Sequence, residues 1–164
     1  MDPGYLKIKI DIKSEHDNYK KKYDYKRKEL KREEIKKIFE SFKDFFKTDG
    51  NFKFKENEHS VTAEYKEHAI VLDMDIYGNI DSADFRIVGT IVTFENQTFE
   101  FIAEGVQSAE KALPPPGIND EERMVYDTKF YKEFLDGDVT YDFQYRITNH
   151  EAVYLSMIEL LTAI

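Results

Sequence analysis

Ile35-Lys36-Lys37-Ile38-Phe39-Glu40-Ser41-Phe42-Lys43-Asp44-Phe45-Phe46-Lys47-Thr48-Asp49-Gly50 spaces its apolar residues three and four apart and then stops on a glycine. At about 100° per residue, Ile35, Ile38, Phe39, Phe42, Phe45 and Phe46 form one stripe, so the stretch predicts an amphipathic helix whose apolar face docks on another layer. Asp49-Gly50 is the stop signal, because glycine takes the left-handed backbone that closes a helix without a steric penalty. Upstream the helical period reaches back to Asp17 or Asn18, but Tyr19, Tyr23 and Leu30 lie roughly 120° around the cylinder from the stripe. The C-terminal half is therefore expected to lie on a sheet. The basic N-terminal half is expected to bend, to pack elsewhere or to project into solvent.

Ahead of the helix, residues 5–13 alternate. Leu6, Ile8, Ile10 and Ile12 fall on one face and Tyr5, Lys7, Lys9, Asp11 and Lys13 on the other, the period of a half-buried strand. After Gly50, runs at 51–56, 60–67, 69–77, 85–94 and 97–106 read as strands, with turns at Asn57-Glu58, Tyr77-Gly78-Asn79 and Glu95-Asn96-Gln97. Ile70, Leu72, Met74 and Ile76 share one face of the third run. Such short connections predict an antiparallel meander. Leu113-Pro114-Pro115-Pro116-Gly117 then interrupts regular structure as a rigid surface loop.

Residues 119–135 support two readings. Asn119 followed by Asp120-Glu121-Glu122, with Gly137 downstream, suits a capped helix. A hairpin turning at Asp136-Gly137 instead sets Phe134 opposite Val139, Phe130 opposite Phe143 and Tyr126 opposite Ile147, on one face with Tyr141 and Tyr145. That agreement of register favours the hairpin. A strand over 138–148 follows from either reading. Thr148-Asn149-His150-Glu151 has capping-box spacing before Ala152, Val153, Leu155, Met157, Ile158, Leu160 and Leu161, which predicts a mostly buried closing helix. The expected architecture is one α+β domain over residues 1–164: an antiparallel meander sheet covered by a long N-terminal helix and a short C-terminal helix. This is the element order of helix-grip lipid-binding domains, although the closing helix is short for one.

The chain has 164 residues and 19.4 kDa, one domain's worth. At that mass about 70% of the unfolded surface can be buried, enough for a core without covalent staples. No cysteine is present, so disulfides, thiolate metal sites and cysteine nucleophiles do not arise. Met1–Lys7 has no apolar core behind a basic start, and no later apolar run is long enough to cross a bilayer, so a cytoplasmic protein without a membrane role is expected.

Charge is the most informative feature. There are 24 Lys and Arg against 33 Asp and Glu, a formal net of −9. Residues 1–66 hold 18 basic and 14 acidic side chains, whereas residues 67–164 hold 6 and 19. The basic excess concentrates in 20–37, led by Lys20, Lys21, Lys22, Lys26, Arg27 and Lys28. The acidic side chains cluster at Asp120, Glu121 and Glu122 and again at Asp136 and Asp138. A field this acidic repels nucleic acid and speeds encounter with a basic protein. The reading is a non-enzymatic acidic binding protein that inhibits or neutralises a basic macromolecular partner, in the manner of immunity, anti-defence or nucleic-acid-mimic proteins, with those five carboxylates in the contact. An oligomer is compatible with it. Two alternatives stand beside it. Nucleic acid could track helix 20–37 with Tyr19, Tyr23 and Tyr25 available for stacking, against which stand a pI near 5.0 and lysines scattered around the helix. A small hydrophobic ligand could occupy a helix-grip-like cavity lined by Phe39, Phe42, Phe45 and Phe46 and by Tyr141, Phe143 and Tyr145.

Motifs for chemistry are weak. Asp73, Asp75, Asp81 and Asp84 take positions 1, 3, 9 and 12 of a calcium-loop pattern with Gly78 at position 6. Tyr77 at position 5, an Asp in place of the bidentate Glu, and strand-forming flanks count against it, leaving a hairpin turn as the plainer reading. His59, Glu64 and His68 lie close in sequence and alternation puts Glu64 and His68 on one strand face, where a weak metal or acid/base site is conceivable, but no His-Glu-x-x-His is present and no third ligand joins that pair. Phosphate loops, dinucleotide fingerprints and nucleophile elbows are missing, so no catalytic residue and no cofactor is assigned.

Overall fold

In the structure, a computed structural model that describes residues 1–164, the first element is not a strand but the start of one helix, α1, from Pro3 to Lys47. Its opening is written in Asp2-Pro3: the Asp2 carboxylate accepts the Gly4 N–H at 3.0 Å, the Asp2 carbonyl accepts from Leu6, and proline fits a first turn that needs no amide donor. This cap corrects the expected strand over 5–13. Alternation specifies a strand only where a neighbouring strand takes up its hydrogen bonds, and here Ile8 and Ile10 stay in water at 57% and 54% exposure. The stop is as read, with Gly50 at φ +83°.

Five strands follow much as expected: β1 Lys53–Glu56, β2 Ser60–Tyr65, β3 His68–Asp73, β4 Arg86–Val92 and β5 Thr98–Gln107. With β6, Tyr141–Ile147, they form one six-stranded sheet in chain order, an antiparallel meander. The register aligns Val61 with Leu72, Leu72 with Ile91, and Ile87 with Ala103, and all of these are buried. Hydrogen bonds from Thr148 N–H to the Glu100 carbonyl and from Ser108 N–H to the Thr140 carbonyl bracket the β5–β6 pairing.

The third strand ends at Asp73 rather than running to Tyr77. Asp75 caps a short helix, α2 (Ile76–Asp81), by accepting the Gly78 N–H at 3.1 Å, so the expected hairpin turn at Tyr77-Gly78-Asn79 is a helical turn. Beside it the Asn79 carboxamide exchanges two 2.9 Å hydrogen bonds with the Val88 backbone, filling the place of a strand neighbour for β4.

The favoured hairpin over 119–148 is also corrected. Residues Asp120–Leu135 form helix α3, with the Asn119 side chain accepting the Glu122 N–H at 2.8 Å, three carboxylates in the first turn and Gly137 at φ +85° beyond its end. Tyr126, Phe130 and Phe134 are four apart, a spacing that shares a face in a strand and in a helix alike. The capped ends decided between them. The closing helix, α4, spans only Met157–Ala163. Its box is Ser156 with Glu159, each side chain accepting a backbone N–H, whereas Thr148 bonds to β5 and Tyr154 bridges Tyr145.

The contacts divide the chain into two compact units, one of Met1–Arg27 with Gln107–Tyr141, the other of Lys28–Val106 with Asp142–Ile164. In the first, the N-terminal part of α1 packs on α3. Tyr23 sits with its ring centroid 4.8–5.9 Å from those of Phe130, Tyr131 and Phe134, and Lys9 pairs with Glu121 at 3.1 Å. In the second, Ile35, Ile38 and Phe42 of α1 are buried along with the apolar sheet positions, as the stripe predicted. No helix in the structure is long and apolar enough to cross a membrane.

A hydrogen bond from the Tyr145 hydroxyl to the Glu34 carboxylate ties β6 to α1 within the second unit. Burial first, and the carboxylate second, push this phenol far above its usual range. Because the folded value lies above the unfolded value near 10, the bond contributes fully below about pH 10 and its contribution is lost progressively above that. Tyr145→Phe is expected to lower stability by about 1–2 kcal/mol at neutral pH. Urea titrations should also show the variant losing less of its remaining stability than the parent between about pH 10 and pH 12.

Candidate acidic cleft

The second unit contains an open cleft of about 810 Å³ between α1 and the wall made by the β1–β2 turn and α2. The α1 side is a stripe at three- and four-residue spacing: Glu29, Arg32, Glu33, Lys36, Phe39, Glu40 and Lys43. Glu56, Asn57 and Glu58 stand opposite, and Ile35, Phe39, Val61, Ile76 and Ile80 make the apolar floor. Of these five, Phe39 and Ile76 are half-buried, while Ile35, Val61 and Ile80 are almost fully covered. Phe39 and Ile76 are therefore the apolar surface a ligand can reach.

Five carboxylates and three cations line the cleft, and the pairs among them are uneven. Lys43 is clamped between Glu56 at 2.7 Å and Glu40 at 3.1 Å, and those two carboxylates hold its ammonium pKa above the usual lysine range. Arg32 reaches Glu29 at 3.2 Å. Glu58 accepts from the Tyr77 hydroxyl and lies 3.8 Å from the His59 ring. Two lining carboxylates thus remain without a lysine or arginine partner, Glu33 and Glu58.

Asp120, Glu121 and Glu122 form the first turn of α3, with Glu121 held below the usual carboxylate range by a backbone hydrogen bond and by Lys9. Asp136 is the C-cap at the far end of the same helix, with Asp138 just beyond, so the two acidic groups are not brought together. In the basic run, Lys20 pairs with Asp24 at 2.9 Å, Lys22 lies over the Tyr19 ring and Arg27 over the Tyr23 ring, while Lys21 and Lys26 are exposed and Lys28 opens the second unit. Asp73, Asp75, Asp81 and Asp84 do not converge, and no three His, Cys, Asp or Glu side chains are grouped to hold an ion. Glu64 pairs with Lys55, His59 accepts from the Ile76 N–H, and His68 packs on Phe94.

Folding also rearranges the charge. The first unit carries 12 Lys and Arg against 13 Asp and Glu, net −1, because the lysines of α1 before Lys28 are gathered with the carboxylates of α3. The second carries 12 against 20, net −8. The contrast between chain halves becomes a contrast between a near-neutral unit and an acidic one. Sequence reasoning missed the cleft because its opposite wall is α2, hidden inside the calcium-like pattern. Of the cleft, only Ile35 and Phe39 belong to the apolar stripe that was legible in the sequence.

These features define the class as an α+β protein built on an antiparallel meander, with an acidic cleft over an apolar floor. No protein-family model matches the chain, and no curated protein or solved structure is significantly similar to it.

Proposed function

We propose that the protein is a non-enzymatic acidic binding protein that captures, and thereby inhibits or neutralises, a basic macromolecular partner. The observation that supports this is the net −8 of the second unit beside the net −1 of the first. A localised excess both attracts a cationic partner and orients it, whereas a uniform one attracts it without orienting it. The contact is assigned to the second unit, since the five carboxylates first named from the sequence lie among the lysines of the first. The charge balance is that of immunity or nucleic-acid-mimic proteins, which present carboxylates to a basic surface.

Affinity capture from lysate at low and raised salt tests it. A basic protein retained at low salt and released as salt screens the field is the expected result. A captured partner that is indifferent to salt, or none at low salt, contradicts the reading.

A further inference from the structure

Resting on that reading, we infer that the cleft of the second unit receives a basic amphipathic helix of the partner, apolar side chains on Phe39 and Ile76 and lysines or arginines against Glu33 and Glu58. The dimensions fit such an occupant. From Glu29 to Lys43 the α1 wall runs about 21 Å at 1.5 Å per residue, the length of about four helical turns. A volume of about 810 Å³ takes a row of large side chains rather than one small head group.

Charge selects the sign of the occupant. Carboxylates outnumber cations five to three around the cleft, and two of the five, Glu33 and Glu58, have no lysine or arginine partner. Lys36 is the one lining cation with no carboxylate partner, so desolvating both Glu33 and Glu58 on docking calls for cations on the incoming chain as well. The apolar floor adds what an acidic cluster alone lacks, a place for side chains three and four apart.

An extended basic segment is disfavoured by the neighbouring edge. An extended chain would add to edge strand β1, which presents Lys53 and Lys55, both exposed. Lysines on a sheet edge guard it, and here they also repel the cationic chain that the cleft attracts. A helix meets the cleft without using that edge.

The test uses the full-length protein and a labelled fourteen-residue peptide of Leu and Lys whose leucines recur at helical spacing. A peptide of the same composition in strict Leu-Lys alternation and free spermine serve as comparisons. The expected result is binding at low salt that is at least tenfold weaker for the alternating peptide, at least tenfold weaker in Phe39→Gln, and not displaced by spermine of equal total charge. Thermal melts verify that Phe39→Gln is folded, and Glu33→Lys, at an exposed position, gives a second variant expected to weaken binding with no change in melting. Equal binding of both peptides, or unchanged binding in Phe39→Gln, overturns the helical occupant while leaving the acidic-partner reading intact. Unchanged binding in Glu33→Lys combined with Glu58→Lys overturns both. A salt-sensitive dimer in sedimentation that Glu33→Lys abolishes would make a second copy the occupant and also overturn the inference.

Discussion

Lys31→Met is expected to lower the unfolding free energy by about 3 kcal/mol, read as a fall of about 10 °C in Tm for a chain of this size. Lys31 sits on the α1 segment of the second unit and is only 2% exposed. Its ammonium donates to three carbonyl oxygens, those of Asn79 at 2.5 Å, Ser82 at 2.8 Å and Asp84 at 3.0 Å. Asn79 and Ser82 close α2, where a helix presents carbonyls without intrahelical donors and a partial negative charge. The lysine therefore satisfies the end of α2 and fixes it beside α1. Methionine keeps most of the volume and removes every donor, leaving the buried Asn79 carbonyl and the part-buried carbonyls of Ser82 and Asp84 without this partner. Relief of the ammonium's own desolvation returns part of the loss, which keeps the figure near 3 rather than higher. The same change should loosen the wall of the cleft, visible as faster amide exchange over 76–84. A melting temperature within a degree or two of the parent would show that the carbonyls find water and that Lys31 is not the tie.

Gly89→Ala should be nearly as damaging, by about 2–3 kcal/mol. Gly89 lies in β4 opposite Phe101 of β5, and a methyl group there would stand 2.6 Å from the Phe101 ring and 2.6 Å from Met74 Cγ. Neither neighbour can retreat, since Phe101 is 0% and Met74 1% exposed. The ring lies across the glycine, so even one added carbon must displace packed core atoms. Urea unfolding measures the loss, and Gly89→Ala combined with Phe101→Leu should recover part of it, because leucine is smaller where the ring met the methyl. Full stability in the single variant would contradict this packing.

What was legible in the sequence follows from which signals are local. Amphipathic spacing from Ile35 to Phe46 and the Asp49-Gly50 stop are properties of one segment, and so are the short alternating runs of the meander. Residues 5–13 and 119–135 went the other way for a single reason. Periodicity there was compatible with a strand, while short side-chain caps, Asp2 before Pro3 and Asn119 before three carboxylates, fixed a helix. Spacing by four, as in Tyr126, Phe130 and Phe134, carries no power to choose. The roles of Lys31 and Asn79 were illegible because each depends on a carbonyl or strand edge brought close by the fold. Charge was legible in amount but not in place, since α3 and the part of α1 before Lys28, distant in sequence, share one unit and largely cancel.

The central claim is that negative potential concentrates on the second unit. Residue-by-residue NMR relaxation with a cationic and an anionic nitroxide of matched size reports the potential near each proton. Protons lining the cleft and the sheet should relax far more with the cationic probe, while those of α3 and of α1 before Lys28 should respond about equally to both. Comparable preference for the cation at Asp120–Glu122 or Asp136–Asp138 would contradict the account.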